Sequence, residues 1–291
     1  MNRNSNFYTV IYAVVLCGLV AVLLSAAALG LKDQQKANTD NEKKQQILQA
    51  VAGPLGQEVT FDNAAEIWTK LDMDNNMCCV TLNGELDQDT NPFEINTKSL
   101  FAAGKVKQDA KMPFYVANIN DKPYYIMCMY GAGLWDAIWG YIAVESDAST
   151  IAGASFDHAG ETAGLGAKIK DDPAFAQAFV GKSIFQNGNF APVVVSKKNV
   201  ENKVDAITGA TKTSDCVSIM IAESLKGYEA TLKQLAADAP AAGCCQKAEG
   251  ECCGHCQEGE MAEGECCGKC QEGAECPKAE GECDKCPNKA E

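Results

Sequence analysis

The strongest hydrophobic pattern in the chain is an uninterrupted apolar run near its N-terminus. Residues 7–31 form 25 positions without a charged side chain. A helix of that length crosses a hydrocarbon core of about 30 Å at about 1.5 Å per residue. A cleaved signal peptide is the alternative, since Ser25 and the three alanines after it are small. Signal peptides have apolar regions of only about 7–15 residues, so we expect a retained transmembrane anchor over residues 1–31.

The segment that follows the anchor, residues 32–52, is polar at first and then becomes periodic. Its apolar residues recur at the spacing of one helical face and predict a helical stalk, with Asp40 or Asn41 placed to cap it. These apolar residues are Ile47, Leu48 and Val51. The pair Gly53 and Pro54 is expected to end the stalk.

Residues 53–237 mix short strand patterns with helical ones. Residues 123–130, 139–144 and 190–196 read as strands. Residues 172–179 predict a short helix with Pro173 in its first turn. Residues 214–235 predict a long amphipathic helix. Helices at both ends of the domain with strands between them favour the α+β class.

The C-terminal tail, residues 238–291, differs in composition from the rest. It contains no Phe, Trp, Tyr, Leu, Ile or Val, so it is unable to build a hydrophobic core, and we expect a disordered appendage. Imperfect repeats begin at Ala248, Ala262 and Ala279. The tail carries five Lys and thirteen Asp or Glu, a net charge of −8, and eleven of the 16 cysteines.

Charge and motifs exclude several classes of function. The net charge of −14 argues against a nucleic-acid partner. Gly131 and Gly133 do not extend to a dinucleotide fingerprint, because Asp136 stands where the third glycine belongs. Walker, HExxH and GxSxG motifs are also missing from the sequence. We therefore expect no NADH oxidation by this chain alone.

Three segments carry candidate chemistry. Residues 205–214 place small residues between two threonine hydroxyls directly before the long helix, where Thr213 or Ser214 is placed to cap it. A phosphate on Thr211 would lie near the helix N-terminus, which favours negative charge. A capped turn without a ligand is the competing interpretation of this segment.

The other two segments are rich in glycine. In residues 157–168, three glycines allow close approach of a flat ligand, and Glu161 and Thr162 are suited to hydrogen-bond a heterocycle edge. A loop without function is the alternative, and no role is assigned to His158. In residues 130–140, a glycine turn presents Leu134 or Trp135 to a ring, whereas Trp139 is expected in the hydrophobic core.

Together the segments resemble a known family. The pattern from Asp205 to Thr211 resembles the flavinylation motif of the covalent FMN-binding domain family. GETAGLGAKI resembles its GETPGLG-type loop, with Ala163 where the family usually has proline. GLWDAIWGYIAVESD resembles the GLW segment of the C-subunit family of Na⁺-translocating NADH:quinone oxidoreductases. The resemblance covers about residues 5–235, and the family does not generally carry a cysteine-rich tail.

The resemblance implies FMN esterified to Thr211 by a flavin transferase that uses FAD and Mg²⁺. It implies a membrane complex that couples NADH oxidation by quinone to Na⁺ export, with the other subunits of that complex as partners. It implies a periplasmic soluble domain on a single span of the bacterial inner membrane, whereas the lysine count alone favours the cytoplasm. The implied flavin contacts are Asp205, Thr208, Gly209, Ala210, Lys212, Thr213, Glu161, Thr162, Gly164, Leu165, Leu134 and Trp135.

Two rival functions and the tail cysteines stay open at this point. The G-subunit of an ion-translocating ferredoxin:NAD oxidoreductase shares the threonine motif, but the GLW segment favours the C-subunit family. An anchored metal-binding protein is the rival of another class. Its candidate ligands have zinc or iron–sulfur spacing, and a plain disordered tail or disulfides are the alternatives. These residues are Cys253, Cys256, Cys267, Cys270, Cys283 and Cys286. Cys78, Cys79, Cys128 and Cys216 are expected to be structural.

Overall fold

The N-terminal helix is a single continuous element in the computed structural model, which describes residues 6–238. Helix α1 spans Asn6–Gln49. It is long and apolar enough to cross a membrane. The expected helix start at Asp40 or Asn41 is wrong, because neither Gly nor Pro interrupts residues 31–49. The Asn41 side chain instead donates to the carbonyl of Phe61 at 2.6 Å.

The remaining helices are short apart from one near the end of the domain. They are α2 (Ala52–Leu55), α3 (Ala64–Lys70), α4 (Lys168–Asp171), α5 (Pro173–Gln177), α6 (Thr211–Lys226) and α7 (Glu229–Asp238), with 3-10 turns at Pro92–Glu94 and Thr97–Leu100. Gly53 and Pro54 lie within α2 rather than at a helix stop. In α5, Pro173 stands in the first turn, as predicted. Asp172 caps this helix by accepting from the amide of Ala174.

Twelve strands complete the domain. They are β1 (Met77–Val80), β2 (Leu86–Asp87), β3 (Phe101–Ala102), β4 (Lys105–Val106), β5 (Met112–Ile119), β6 (Lys122–Ala132), β7 (Ala137–Val144), β8 (Ile151–His158), β9 (Phe185–Gln186), β10 (Asn189–Phe190), β11 (Val194–Ser196) and β12 (Lys203–Asp205). The central sheet is antiparallel with the order β2-β1-β5-β6-β7-β8. The structure confirms the α+β class, while the predicted tail beyond Asp238 lies outside the described residues.

Local sequence explains why neighbouring strands form hairpins. Asn120 and Asp121 connect β5 to β6 with φ angles of 51° and 62°. Positive φ at both central residues is the conformation of a two-residue hairpin turn, and Asn and Asp adopt it more readily than other non-glycine residues. The turn fixes the register in which Ile119 pairs with Lys122, so β6 begins directly after it.

Helix α6 packs closely across β6. A Cβ atom added at Gly131 would lie 2.9 Å from Cβ of Met220, so only glycine permits this approach. The helix buries Val217, Met220 and Ile221 against the sheet. This packing places the N-terminus of α6 beside the segment that follows β6.

Two predicted elements are divided in the structure. The expected strand over residues 190–196 separates into β10 and β11, and Pro192, which lacks an amide donor for a sheet, lies between them. The expected helix over residues 214–235 is two helices in the structure. The first, α6, begins earlier, at Thr211, and ends at Lys226, and α7 follows from Glu229. The buried Tyr228 hydroxyl at this break donates to the carbonyl of Pro113 at 2.8 Å.

The C-terminal end of α1 belongs to the domain core. Ile47 and Leu48 of α1 are fully buried, which confirms this part of the apolar face predicted from their spacing. Val51 is also fully buried but lies in the turn after α1. Gly153 of β8 lies so close to the carbonyl of Ala50 that a side chain there would collide with it. The helix therefore runs from its apolar span directly into the packed domain.

Candidate functional site

Helix α6 begins at Thr211 and lacks a side-chain cap. Its N-cap is Ala210, and the first intrahelical bond runs from the Ser214 amide to the Ala210 carbonyl at 3.0 Å. The amides of Thr211, Lys212 and Thr213 precede that bond, so they have no acceptor within the helix. The sequence-based expectation that Thr213 or Ser214 caps the helix is therefore wrong. Thr211 itself is exposed.

The turn that leads into α6 is held by Ser214. Its hydroxyl accepts from the amide of Ile207 at 3.1 Å and donates to the carbonyl of Ala210 at 2.9 Å. Gly209 has a φ of +83°, a conformation that glycine adopts without steric cost. The turn is therefore fixed up to Ala210, and the residue after it, Thr211, is exposed to solvent.

Glu161 joins the three candidate segments. Its Oε1 accepts from the amide of Leu134 at 2.7 Å and from the amide of Trp135 at 3.2 Å. Its Oε2 accepts from the hydroxyl of Thr213 at 2.8 Å. Glu161 and Thr213 are 7% and 1% exposed. Both carboxylate oxygens thus bind protein donors, and the role expected for this side chain, hydrogen-bonding a heterocycle edge, is not the one that the structure gives it.

Two glycines make room for this carboxylate. A Cβ atom at Gly133 would collide with Oε1 of Glu161. A Cβ atom at Gly166 would lie 2.7 Å from the hydroxyl oxygen of Thr213 and would collide with Oε2 of Glu161. Gly166 was predicted to allow close approach of a ligand and Gly133 to open a turn, whereas in the structure both glycines make room for the side chain of Glu161.

Exposed apolar side chains surround this anchored region. Leu134 is 51% exposed, Trp135 is 70% exposed and Leu165 is 43% exposed. A Cβ atom at Gly209 would lie 2.9 Å from Cδ2 of Leu165, so Leu165 lies over the turn before Thr211. An apolar surface next to free helix amides suits a ligand with a flat ring at one end and a phosphate at the other.

The other predicted contacts lie in the same segments without such ties to Glu161. The Asp205 side chain is 85% exposed and pairs with Lys203 at 2.9 Å. Thr208 and Lys212 are exposed. The carbonyl of Thr162 accepts from the amides of Leu165 and Ala167, each at 3.1 Å. This pattern shapes the loop, in which Gly164 takes a φ of +74°.

His158 lies beside the site without having been predicted there. The Nδ1 atom of His158 accepts from the amide of Glu161 at 3.2 Å, although no role was expected for this histidine. Its position three residues before the buried glutamate was the available signal. Trp139 was expected in the core, but it is only half-buried, and its indole donates to Gln46 at 3.2 Å.

Metal ligands do not cluster within the described part of the chain. Residues 6–238 contain no group of three or more His, Cys, Asp or Glu side chains placed to hold a metal ion. The tail pairs, from Cys253 to Cys286, lie outside the described residues. Within the domain, burial raises the pKa of Cys128 to about 11 and that of Cys79 to about 12, as expected for structural thiols.

Comparison with known proteins points to one family. The model of the FMN-binding domain family matches residues 133–226. That range contains the three segments joined by Glu161, from Gly133 to the end of α6. The matched region is therefore the same region in which the geometry offers free amides and an apolar surface.

Relatives and solved structures extend the similarity over most of the chain. The C-subunit of a Na⁺-translocating NADH-quinone reductase from Vibrio vulnificus is 29% identical over 231 residues, 75% of this chain and 90% of its own length. A structure of the same subunit from Parabacteroides distasonis is 40% identical with a TM-score of 0.62, covering 69% of this chain and 96% of that one. NqrC of Shewanella oneidensis is 27% identical with a TM-score of 0.54, covering 69% and 99%.

Proposed function

Because the chain belongs to the C-subunit family of the Na⁺-translocating NADH-quinone reductases, we propose that its FMN is attached covalently, through the phosphate, to the hydroxyl of Thr211. The chain is an electron-carrying subunit of that oxidoreductase complex and has an FMN-binding domain.

The position of Thr211 carries the proposal. It is the exposed first residue of α6, and the helix has no side-chain cap. A phosphoester on its hydroxyl would face amides that lack an acceptor within the helix, and the macrodipole favours a negative charge there. Thr208, the other threonine of the motif, precedes the glycine turn and lies outside the helix.

The residues around Thr211 have different roles in binding the flavin. FMN, when bound, supplies the redox chemistry, while the chain supplies a fixed place and an electrostatic environment. Leu134, Trp135 and Leu165 offer apolar surface to the ring. Glu161 positions the backbone of the first two by accepting from their amides. The exposed Lys212 follows Thr211 and offers a positive charge to the phosphate.

We also propose the surroundings of the protein in the membrane. The complex couples NADH oxidation by quinone to Na⁺ export, and other subunits of the complex deliver electrons to this FMN and remove them. The domain faces the periplasm, and a flavin transferase that uses FAD and Mg²⁺ attaches the cofactor. The relatives and solved structures described above are C-subunits, which favours this assignment over the G-subunit of the ferredoxin-linked complex.

Substitution of the two threonines tests the linkage. The full chain is made together with the flavin transferase, and covalent flavin is detected by fluorescence in a denaturing gel. We expect Thr211→Ala to lose the fluorescence and Thr208→Ala to keep it, with circular dichroism confirming that both variants fold. Fluorescence that persists in folded Thr211→Ala would overturn the site, and mass spectrometry of the peptides would locate the true one.

A further inference from the structure

The side chain of Gln46 connects α1 to two strands of the domain. Its Nε2 donates to Oδ2 of Asp157 at 2.8 Å, and its Oε1 accepts from the indole of Trp139 at 3.2 Å. Its backbone carbonyl accepts from the hydroxyl of Ser155 at 2.8 Å. The amide therefore has one defined orientation, with its oxygen toward β7 and its nitrogen toward β8.

The side-chain amide of Gln46 donates to a buried carboxylate, that of Asp157. The residue is 5% exposed, and a carboxylate so placed needs donors to offset its lost hydration. Besides Gln46, it accepts from the Lys170 ammonium at 2.8 Å and from the amide of His158 at 2.7 Å. Of these donors, only Gln46 comes from the helix that contains the apolar span.

A short series of hydrogen bonds leads from Asp157 to the flavin site. Asp157 accepts from the amide of His158, and His158 accepts from the amide of Glu161 through its Nδ1 atom. Glu161 then holds the two amides of residues 134 and 135 and the hydroxyl of Thr213. Gln46 is thus connected, through Asp157 and His158, to the carboxylate that joins all three segments.

We propose that Gln46 is a positioning residue for the flavin: its amide donor fixes Asp157, and Asp157 fixes the corner at residues 157–161 that sets the place of Glu161. This inference rests on the proposed function, because it takes the flavin to lie beside Glu161. Without the donor, Asp157 shifts toward the half-exposed Lys170 and draws the amide of His158 with it. The charge of Glu161 then moves relative to the flavin and changes its reduction potential.

A simpler role for Gln46 is to fasten α1 to the sheet without any effect on the site. The two roles differ in what they alter. Fastening alone changes thermal stability, whereas positioning also changes the flavin potential and the hydrogen exchange of the amides at residues 134, 135 and 161. Both properties are measured on the flavinylated full-length chain in detergent.

Three variants separate the contributions. Gln46→Leu keeps the bulk and removes the donor, while Gln46→Glu keeps the acceptor for Trp139 and turns the donor into a second carboxylate facing Asp157. Gln45→Leu is the matched control, since Gln45 lies on the same helix and makes one long hydrogen bond, at 3.4 Å, to Val59. Fluorescence in a denaturing gel reports in each case whether flavin is attached.

We expect flavin to remain attached in all three variants. The two Gln46 variants should shift the potential relative to wild type and speed exchange of the three amides about tenfold, the size expected for loss of one hydrogen bond to a charged group. Gln45→Leu should retain the wild-type potential and exchange. If Gln46→Leu does not fold, Trp139→Phe is used in its place, because it frees the Gln46 amide to rotate. This variant should also shift the flavin potential and speed exchange of the same three amides.

The inference fails if potential and exchange are unchanged in Gln46→Leu, or if Gln46→Glu behaves as wild type. It fails likewise if Gln46→Leu does not fold and Trp139→Phe leaves both properties unchanged. Attached flavin with an unshifted potential rejects only the role of Gln46. Flavin that is retained in Thr211→Ala rejects the proposed site instead, so the two failures are distinguishable.

Discussion

The carboxylate of Glu161 accepts a hydrogen bond from the hydroxyl of Thr213 at 2.8 Å, which ties the loop after β8 to the first turn of α6. A negative charge at this end of a helix is favoured by the macrodipole. The same carboxylate holds the amides of Leu134 and Trp135. One buried side chain therefore sets the relative places of three segments that are far apart in sequence.

Replacement of Glu161 by alanine should loosen all three segments together. The change leaves a buried hydroxyl and two amides without their acceptor, so we expect a loss of about 2–3 kcal/mol in the free energy of unfolding. Urea unfolding of the domain followed by circular dichroism measures it. Covalent flavin should fall in parallel when the transferase is present, because the surface around Thr211 is no longer fixed.

Thr213→Val is the matched control for that substitution. It removes one donor and keeps the shape of the side chain, so the expected loss is about 1 kcal/mol. A cost for Glu161→Ala no larger than that of Thr213→Val would contradict the role of Glu161 as the residue that joins the segments.

The buried thiols of the domain should resist alkylation. Burial raises the pKa of Cys128 to about 11 and that of Cys79 to about 12, and only the thiolate reacts rapidly. At pH 8 in the folded chain, we therefore expect iodoacetamide to leave both unmodified, as judged by peptide mass spectrometry. The same cysteines should react once urea unfolds the domain. Rapid labelling of the folded chain at either position would show that the thiol is reachable and ionised.

Local patterns predicted the elements of this fold better than their ends. Ile47 and Leu48 showed a buried helical face, and Pro173 marked the first turn of α5. The start of α6 was missed because the hydroxyl of Ser214 binds Ile207 and Ala210 instead of capping the helix. The break before α7 coincides with a hydrogen bond from Tyr228 to Pro113, a contact between distant residues that spacing does not reveal.

The isolated chain should not oxidise NADH. Its sequence lacks a dinucleotide fingerprint, and the proposed flavin is served by other subunits of the complex. Purified flavinylated chain should give no steady loss of NADH absorbance, yet its flavin should bleach with dithionite. Sustained turnover of NADH by the chain alone would argue against a carrier role.

The acidic tail, residues 238–291, should be dispensable for the flavin domain. Residues 238–291 carry a net charge of −8 and contain no Phe, Trp, Tyr, Leu, Ile or Val with which to build a core. Truncation after Ala237 should leave flavinylation, thermal midpoint and quinone-reductase turnover within error of the full chain. Loss of turnover with the flavin still attached would show that the tail takes part in electron transfer.

The candidate site was predictable as a set of segments but not as an arrangement. The motif around Thr211 and the glycine-rich loop stand out in sequence because their residue types are unusual. The partners of Glu161 do not, since residues 134, 135 and 213 are brought to it by the packing of α6 on β6. Gln46 gave no signal at all, because its contacts with Asp157 and Trp139 span more than ninety residues of sequence.

Because α1 is continuous, the length of its polar part sets both the distance and the orientation of the domain relative to the apolar span. Residues 32–40 are helical and show no break between the apolar span and the domain. Each residue added there advances the domain by about 1.5 Å and rotates it by about 100° about the helix axis. Length and orientation are therefore coupled in this segment, as they are not in a flexible linker. Two or three added residues would turn the flavin-binding face away from its original direction. An insertion of seven, about two full turns, restores that direction while moving the domain outward by about 10 Å.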